Sequence, residues 1–249
     1  MFAIISDIHS NIEALSVVLD DIEKQGATDI LCLGDIIGYG PNPRECVEIA
    51  FNWKFSLCGN HEEAVLFYAD DFNVNARKAI NWTKDQLNSL EYDRQENYRL
   101  WDFLGNLKSE VREGDVLYVH GSPRLPTREY VLPRDSSDHA KLGEIFSMID
   151  STCFVGHTHY PGVFTDDFKF RTLKELDYSY QLEPGKKSLV NIGSVGQPRD
   201  GDNRASYVLF DGESVRWRRL DYDFETTMKK IVDTGELPAY LAQRLKDGV

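Results

Sequence analysis

At 249 residues the chain lies near the upper limit for one hydrophobic core, so a single domain spanning 1–249 is expected rather than two. Hydrophobic residues at 41% and charged residues at 28% are ordinary globular composition and exclude a disordered chain, and no apolar run approaches the ~18 residues that would cross a bilayer. A formal net charge of -13 repels long polyanions and argues against an extended DNA or RNA partner, although bound divalent cations would reverse the field locally and admit a small anion.

The N-terminus enters the apolar run Phe2 to Ser6 without a basic leader, and Asp7 interrupts that run. A signal peptide is therefore not expected, and the cytosol is the expected location. A helix is predicted from Asn11 to Gln25, where Ile12, Leu15, Val18, Leu19 and Ile22 recur at helical spacing and Gly26 offers a stop. Asp29 to Leu33 follows as a strand. The stiff loop Gly38-Tyr39-Gly40-Pro41-Asn42-Pro43 then suits the start of a helix over Arg44 to Phe51, and Lys54 to Cys58 is the third strand. This alternation predicts β and α elements wound around a mostly parallel sheet.

From Glu62 to about Leu107 the pattern turns helical and aromatic, predicting a helical flank or cap at about 62–107. Strand character returns at Ser109 to Arg112 and Val116 to Val119, joined by a tight turn through Glu113-Gly114-Asp115. A loop with three prolines follows His120, then a helix over Asp138 to Met148 and a strand over Thr152 to Val155. A second group of strands is expected at Val163 to Thr165, Lys169 to Leu173, Leu189 to Ile192, Ala205 to Phe210 and Val215 to Leu220. Amphipathic helices near Phe224 to Val232 and Leu237 to Leu245 close the chain, at about 223–247, and are expected to pack on the domain. Cys32, Cys58 and Cys153 fall in apolar runs and Cys46 in a helix, so all four are expected to be reduced packing residues.

Five of the six histidines fall inside four short polar motifs, each directly after a strand-like run: Asp7-Ile8-His9, Gly59-Asn60-His61-Glu62, His120-Gly121 and Gly156-His157-Thr158-His159. A fifth run ends in Gly34-Asp35. Side chains two apart on a strand share a face, so Asp7 can converge with His9, and His157 with His159. Carboxylate, imidazole and amide oxygen together suit manganese, iron or zinc better than magnesium or copper(I). The absence of cysteine from every motif argues against a structural zinc site. Strand carboxyl ends are also where open α/β sheets bind ligands. Each motif alone is weak; five at five strand exits are not a coincidence of turns.

This ordered set resembles the calcineurin-like metallophosphoesterase family, of the small prokaryotic phosphodiesterase type, over residues 4 to about 200. The resemblance implies an α/β fold, a four-layer α-β-β-α sandwich of two mixed sheets flanked by helices. It implies one metal on Asp7, His9, Asp35 and His159, and a second on Asp35, Asn60, His120 and His157, with Asp35 bridging. Asp35, Asn60 and His61 would then form the catalytic group, with His61 nearest the substrate. The activity implied is cleavage of small phosphodiesters or nucleotides by in-line attack of a hydroxide shared by two divalent cations. His61, when protonated, would stabilise developing charge or protonate the leaving oxygen. A phosphomonoesterase or dinucleoside polyphosphate hydrolase would use the same site, and a non-catalytic metal-binding scaffold is the alternative of a different class. No feature of the sequence fixes an oligomeric state.

The chain departs from the protein serine/threonine phosphatases of that superfamily, which carry Gly-Asp-x-x-Asp-Arg-Gly. Here the run is Gly34-Asp35-Ile36-Ile37-Gly38-Tyr39-Gly40, without the aspartate that would orient the catalytic histidine and without the arginine. A small phosphorylated substrate is therefore expected rather than a phosphoprotein. The Gly-Tyr-Gly-Pro-Asn-Pro loop and the segment Asn191-Ile192-Gly193-Ser194-Val195-Gly196-Gln197-Pro198-Arg199 are similar to small prokaryotic phosphodiesterases and, more loosely, to dinucleoside polyphosphate hydrolases. Arg199 or Arg204 would reach a phosphate, or else sit on a surface Gly-Pro turn. Asn11 fits substrate contact or a helix N-cap, and Tyr39 and Asn42 fit a leaving-group site or the turn itself. Arg124 and Tyr130, in the loop after His120, are expected to touch substrate. His139, outside every motif, is expected to be exposed.

Overall fold

Short β-branched and aromatic runs form the strands, and each helix begins where a side chain or proline satisfies the first turn. The computed structural model describes residues 1–69 and 72–249; residues 70 and 71 of the predicted helical stretch lie outside it. The first half contains β1 (Phe2–Ile5), α1 (Ile12–Gln25), β2 (Asp29–Cys32), α2 (Pro43–Ala50), β3 (Phe55–Ser56), α3 (Asn60–Leu66), α4 (Val74–Leu87), α5 (Arg94–Gly105), β4 (Glu110–Glu113) and β5 (Val116–Val119). A 3-10 turn at Pro133–Ser137 precedes α6 (His139–Ser147). Then come β6 (Thr152–Val155), β7 (Gly162–Thr165), β8 (Phe170–Thr172), β9 (Ser179–Gln181), β10 (Ser188–Asn191), β11 (Ala205–Phe210), β12 (Ser214–Leu220), α7 (Phe224–Asp233) and α8 (Ala239–Asp247). In α1, the Asn11 side chain accepts the Ala14 N–H at 3.1 Å and Gly26 closes the helix at φ 70. Pro43 opens α2, where its missing N–H has no intrahelical partner to lose.

Two six-stranded sheets result, in the orders β3-β2-β1-β11-β12-β9 and β4-β5-β6-β10-β7-β8. Both are mixed, whereas the alternation of the first half predicts a mostly parallel sheet. The parallel centres are β1, β2 and β3 in one and β5, β6 and β10 in the other. Short returns such as those between β11 and β12 and between β4 and β5 leave no room for a crossover helix and make those pairs antiparallel, and β1–β11 and β10–β7 are antiparallel as well. The sheets face each other: Ile4, Leu31 and Val208 of the first pack with Tyr118, Phe154 and Val190 of the second. Leu15, Val18, Cys46 and Val47 of α1 and α2 cover the outer face of the first sheet, against Ile5 and Cys32. Leu142, Ile145 and Phe146 of α6 cover the second. The order is thus helix, sheet, sheet, helix.

The stretch 62–107 forms α4, α5 and most of α3. A further buried cluster joins Ala79 and Trp82 of α4 to Ile231 of α7 and Leu241 and Leu245 of α8, with Tyr39 packed against it. The flank and the C-terminal helices therefore meet beside the loop that follows β2. Strand β9 has no sequence signal, being three half-exposed or exposed residues with no alternation long enough to read. Strand β3 is shorter than predicted; Leu57 continues only as a single bridge to Lys108. All four cysteines are unpaired, and His139 is exposed. Among the described residues no helix is long and apolar enough to cross a membrane.

Candidate metal centre

The five motif loops meet at the carboxyl ends of β1, β2, β3, β5 and β6, but not by the alternation of a pleated strand. Strand β1 stops at Ile5 and β6 at Val155. Beyond them Asp7, His9, His157 and His159 take left-handed backbone, at φ 53, 50, 63 and 59, as does Asp35 at φ 52. The expected convergence of Asp7 with His9 is real and its cause is a turn, whereas His157 and His159 turn to different groups, His159 to Asp7 and His9 and His157 to Asp35 and His120. Left-handed conformations cost non-glycine residues about 1 kcal/mol or more each. They persist because the loops hydrogen-bond one another: Asp7 N–H to Gly34 O at 3.0 Å, His9 N–H to Asp35 O at 3.0 Å, and His157 N–H to Asp7 Oδ2 at 3.0 Å. The segment after β10 completes the cradle, with Gly196 N–H on Asp7 O at 2.9 Å and Ser194 Oγ donating to the same carbonyl at 2.8 Å. A Cβ on Gly196 would lie 1.7 Å from Ile8 O, so only glycine fits there.

Four histidines share one arrangement. His9 Nδ1 faces Ile37 O at 3.2 Å, His120 Nδ1 faces Leu33 O at 3.1 Å, His157 Nε2 faces Arg128 O at 3.1 Å, and His159 Nδ1 faces Gln197 O. A carbonyl only accepts, so each of these nitrogens carries the proton. The other nitrogen of each ring points inward. His9 Nε2 and His159 Nε2 stand 3.1 Å apart, and His120 Nε2 and His157 Nδ1 stand 3.0 Å apart. Asp7 Oδ1, 3.1 Å from His159 Nε2, is buried without a donor. Burial drives His9 well below the usual histidine range and His157 to about 3, so these rings are neutral and their inward nitrogens are lone pairs. His120 behaves oppositely: burial would lower it, but the Asp35 carboxylate lifts it to about 9.

The His9 and His159 lone pairs turned on one another, with the buried Asp7 Oδ1 lacking a donor, are unfavourable unless a cation lies among them. A backbone carbonyl that fixes the tautomer is also the usual support for a metal-binding histidine. Two nitrogens 3.0 to 3.1 Å apart, each about 2.1 Å from one ion, would subtend roughly a right angle at it. The residues therefore fit divalent metal. Ligand atoms of Asp7, His9 and His159 lie within 4.8 Å of one another, as do those of Asp35, His120 and His157, and those of His9, Asp35 and His61. Asp35 connects the groups: its Oδ2 is 3.7 Å from His9 Nε2 and 3.3 Å from His120 Nε2. Asn60 Oδ1 is 3.1 Å from His120 Nε2. Although burial opposes it, His159 beside Asp7 and His120 beside Asp35 hold both carboxyls below the usual carboxylate range.

Glu62, to which the sequence motif assigns no separate task, fastens two of these loops together. It is wholly buried and accepts the N–H groups of Asp35 at 2.8 Å, Gly59 at 2.8 Å and Ile37 at 3.1 Å. Burial and the Asp35 charge nonetheless push it up to about 7. An acid directly after a motif histidine, three residues past Gly59 at the start of a helix, was the available signal.

His61 is 2% exposed, and its N–H donates to Asp35 Oδ1 at 2.9 Å. Among the described residues no aspartate accepts a hydrogen bond from its ring, and rings surround it there. Gly38, at φ 90, leaves a gap that the His61 ring fills, since a Cβ there would lie 2.1 Å from His61 Nδ1. That nitrogen is buried with no partner among the described residues. Rings hold it instead, with centroids at 4.3 Å for Tyr39, 4.8 Å for His9 and 5.2 Å for Phe72. Burial lowers His61 to about 4.

Beside the clusters is a cavity of about 160 Å³ lined by Tyr39, Asn60, Phe72, Arg128, Tyr130 and His157. A larger one, about 650 Å³, lies between β3 and α5 and holds none of the clustered groups. Of the residues expected to touch substrate, Tyr39 and Tyr130 line the cleft, Tyr130 stacking on His157 at 3.9 Å. Arg199 is half-buried 5.9 Å over the Tyr39 ring, one nitrogen on Gln197 at 2.8 Å and its Nε without a partner. Three residues offered for substrate contact have their side chains engaged elsewhere, Asn11 in the helix cap that is its other reading. The Asn11 amide is committed to Gly196 O, Tyr222, Thr227 and the α1 cap. Asn42 is committed to Glu45 and Lys230. Arg124 is wrapped by Glu129 and Glu144 and is replaced at the cleft by Arg128, four residues on. Arg204 likewise forks onto Asp202.

Comparison with known proteins agrees with this geometry. The model of the calcineurin-like phosphoesterase superfamily domain matches residues 1–214, which leaves α7 and α8 outside it. An uncharacterised protein of Methanocaldococcus jannaschii is 40% identical over 252 residues, covering 98% of this chain and 97% of that protein. The crystal structure of a metallophosphoesterase from Sphaerobacter thermophilus superposes with a TM-score of 0.81 at 36% identity, covering 100% of this chain and 98% of that one. A hypothetical protein from Pyrococcus horikoshii shares the fold, with a TM-score of 0.77 at 18% identity over 100% and 99% of the two chains.

Proposed function

Because this chain belongs to the calcineurin-like phosphoesterase superfamily, we propose that it is a phosphohydrolase of small phosphodiesters or nucleotides that works with two divalent transition-metal ions, manganese, iron or zinc. The observation that carries this is the shared histidine arrangement, one nitrogen of each ring on a backbone carbonyl and the other turned inward beside Asp35. Asp7, His9, Asp35 and His159 would hold one ion, and Asp35, Asn60, His120 and His157 the other. Bound there, such ions supply Lewis acidity toward phosphoryl oxygens and lower the pKa of water toward neutrality.

The chain's own residues do the rest. Asp35 ties the two groups into one centre, and Glu62 fixes the spacing of the loops that carry Asp35 and Asn60. Tyr39, Phe72 and Tyr130 exclude water from one side of the cleft and give an apolar surface to the leaving group. His61, held by rings rather than by an acid, offers its ring to the leaving oxygen. The four unpaired cysteines agree with a reducing, cytosolic setting.

The test is turnover of bis(p-nitrophenyl) phosphate and p-nitrophenyl phosphate by protein stripped of metal and reloaded with manganese, iron or zinc. Turnover of the diester is expected. Two bound metal equivalents with no turnover of either ester would sink the proposal and leave a metal-binding scaffold.

A further inference from the structure

Of the four rings held on backbone carbonyls, His157 alone is reversed: its Nε2 faces outward to Arg128 O at 3.1 Å and its Nδ1 inward, whereas His9, His120 and His159 face outward through Nδ1. Its carbonyl also comes from a different kind of support. Arg128 lies in the proline-rich loop after β5, whose backbone hydrogen bonds close on the loop itself: Gly121 N–H on Pro126 O at 2.5 Å, and Arg128 and Glu129 N–H on Leu125 O at 3.2 and 3.3 Å. Side chains fasten that loop to the rest of the chain. On one side Arg124 meets Glu144 and Lys141 donates to Tyr130 O at 2.6 Å, both partners coming from α6. On the other side Glu63 Oε2 accepts the Thr127 hydroxyl at 2.8 Å and Arg128 Nε at 2.9 Å. Glu63 belongs to α3, three residues after Asn60 and so on the same face of that helix.

We infer that Glu63 is a positioning residue for His157: by latching Thr127 and Arg128 to α3, it holds the Arg128 carbonyl on the His157 ring and fixes that ring against the helix that begins with Asn60. A neutral imidazole carries its proton on either nitrogen, and the hydrogen bond made by one decides whether the other offers a lone pair. With the Arg128 carbonyl in place, the lone pair is on Nδ1, 3.0 Å from His120 Nε2. Without it, the proton is free to move to Nδ1 and the inward lone pair is lost. Tyr130, from the same loop, stacks on the ring at 3.9 Å, so displacing the loop removes both supports. The effect is one-sided. His9 rests on Ile37 O and His159 on Gln197 O, neither of them in this loop, and Gln197 N–H is tied separately to Ser194 Oγ at 2.8 Å. Glu63 therefore acts on the group of Asp35, His120 and His157 and leaves that of Asp7, His9 and His159 in place. The two adjacent acids divide the work, Glu62 accepting from the loop that carries Asp35 and Glu63 from the loop that supports His157.

For its effect on metal the inference rests on the two-ion reading of the phosphohydrolase proposal, and two readouts keep them apart. The first is calorimetric titration of manganese into the metal-stripped full chain. The wild type is expected to take two equivalents; in Glu63→Ala one should bind as before and the other about tenfold or more weakly, the usual scale for losing a group that supports a metal ligand. Glu63→Gln, which keeps one acceptor oxygen, should fall between, and Thr127→Val should weaken the same ion by less. The second readout is the ring-nitrogen resonance spectrum of metal-stripped protein labelled at histidine, with His157 assigned from His157→Asn. In Glu63→Ala the Nδ1 of His157 should shift toward its protonated position while the Nδ1 of His9 and of His159 stay unmoved. The Glu63–Arg128 pair is partly exposed and adds little to stability, so the variant is expected to fold. Should it not, Glu63→Gln and Thr127→Val decide the point on the same readouts. Unchanged affinity for both ions, equal weakening of both, or an unchanged His157 ring would overturn the inference. Wild-type protein that binds fewer than two ions, with the His157 shift present, overturns the two-ion reading and leaves Glu63 as the support of that ring.

Discussion

Glu62 accepts the backbone N–H of Asp35 at 2.8 Å, so the residue that joins the two candidate metal groups is held by an acid that touches neither. The same carboxylate takes Gly59 and Ile37. Glutamine keeps the shape but replaces one acceptor oxygen with an NH₂ that must face a backbone N–H. Glu62→Gln is therefore expected to lower stability by about 1–3 kcal/mol, the cost of a buried donor left without an acceptor. It should also reduce bound metal, because the loops bearing Asp35 and Asn60 lose their common anchor. Denaturant unfolding and elemental analysis of the purified variant check both effects. Unchanged values would remove Glu62 as a clamp.

Asp35→Ala is expected to lose more metal than His9→Ala, His120→Ala, His157→Ala or His159→Ala. Each histidine faces one partner nitrogen, whereas Asp35 Oδ2 lies between the two groups, 3.7 Å from His9 and 3.3 Å from His120. Metal content per chain, measured after identical reloading, gives the ranking. A histidine variant that loses as much as Asp35→Ala would show that Asp35 does not bridge.

His61→Ala should keep its metal and lose turnover by a factor of ~10² to 10⁴, the usual weight of one acid-base group. Gly38→Ala should reach a similar loss by another route, since the new Cβ would meet His61 Nδ1 at 2.1 Å and φ 90 is itself strained for alanine. The two effects act on one ring, so the double variant should turn over no more slowly than His61→Ala alone. Losses that multiply in the double variant would mean that Gly38 acts elsewhere.

These residues also mark how far the sequence could be read. Asp7, His9, Asp35, Asn60, His120, His157 and His159 were legible because each follows an apolar strand, and parallel strands of a sheet end at a common edge. The means of convergence was not legible: left-handed φ at Asp7, His9, Asp35, His157 and His159 belongs to turns that polar residues form only under tertiary hydrogen bonding. Asn11 stands open between substrate and cap, and Arg124 reads toward substrate, for a related reason. Their types suit a phosphate, yet a cap and an ion pair with Glu129 use the same atoms.

Far from the cleft, Asp21 fastens α1 to the first sheet and gives the fold an acid-sensitive joint. Arg218 of β12 grips both carboxylate oxygens at 2.9 Å, and Tyr207 of β11 donates to Oδ2 at 2.7 Å. Burial alone would raise Asp21, but the hydrogen bonds from Arg218 and Tyr207 lower it below its ordinary value of 3.8. A carboxyl whose folded value is depressed stabilises the fold at every pH above its unfolded value, and that contribution is lost as pH falls through the folded value. Asp21→Asn should therefore cost about 1–2 kcal/mol at pH 7, with the exposure of Arg218 already discounted. The difference from wild type should shrink steadily once the pH drops below about 3.8. Urea unfolding of both proteins across that range measures it, and a gap that stays constant into acid would show that the Asp21 charge contributes nothing to holding α1 on the sheet.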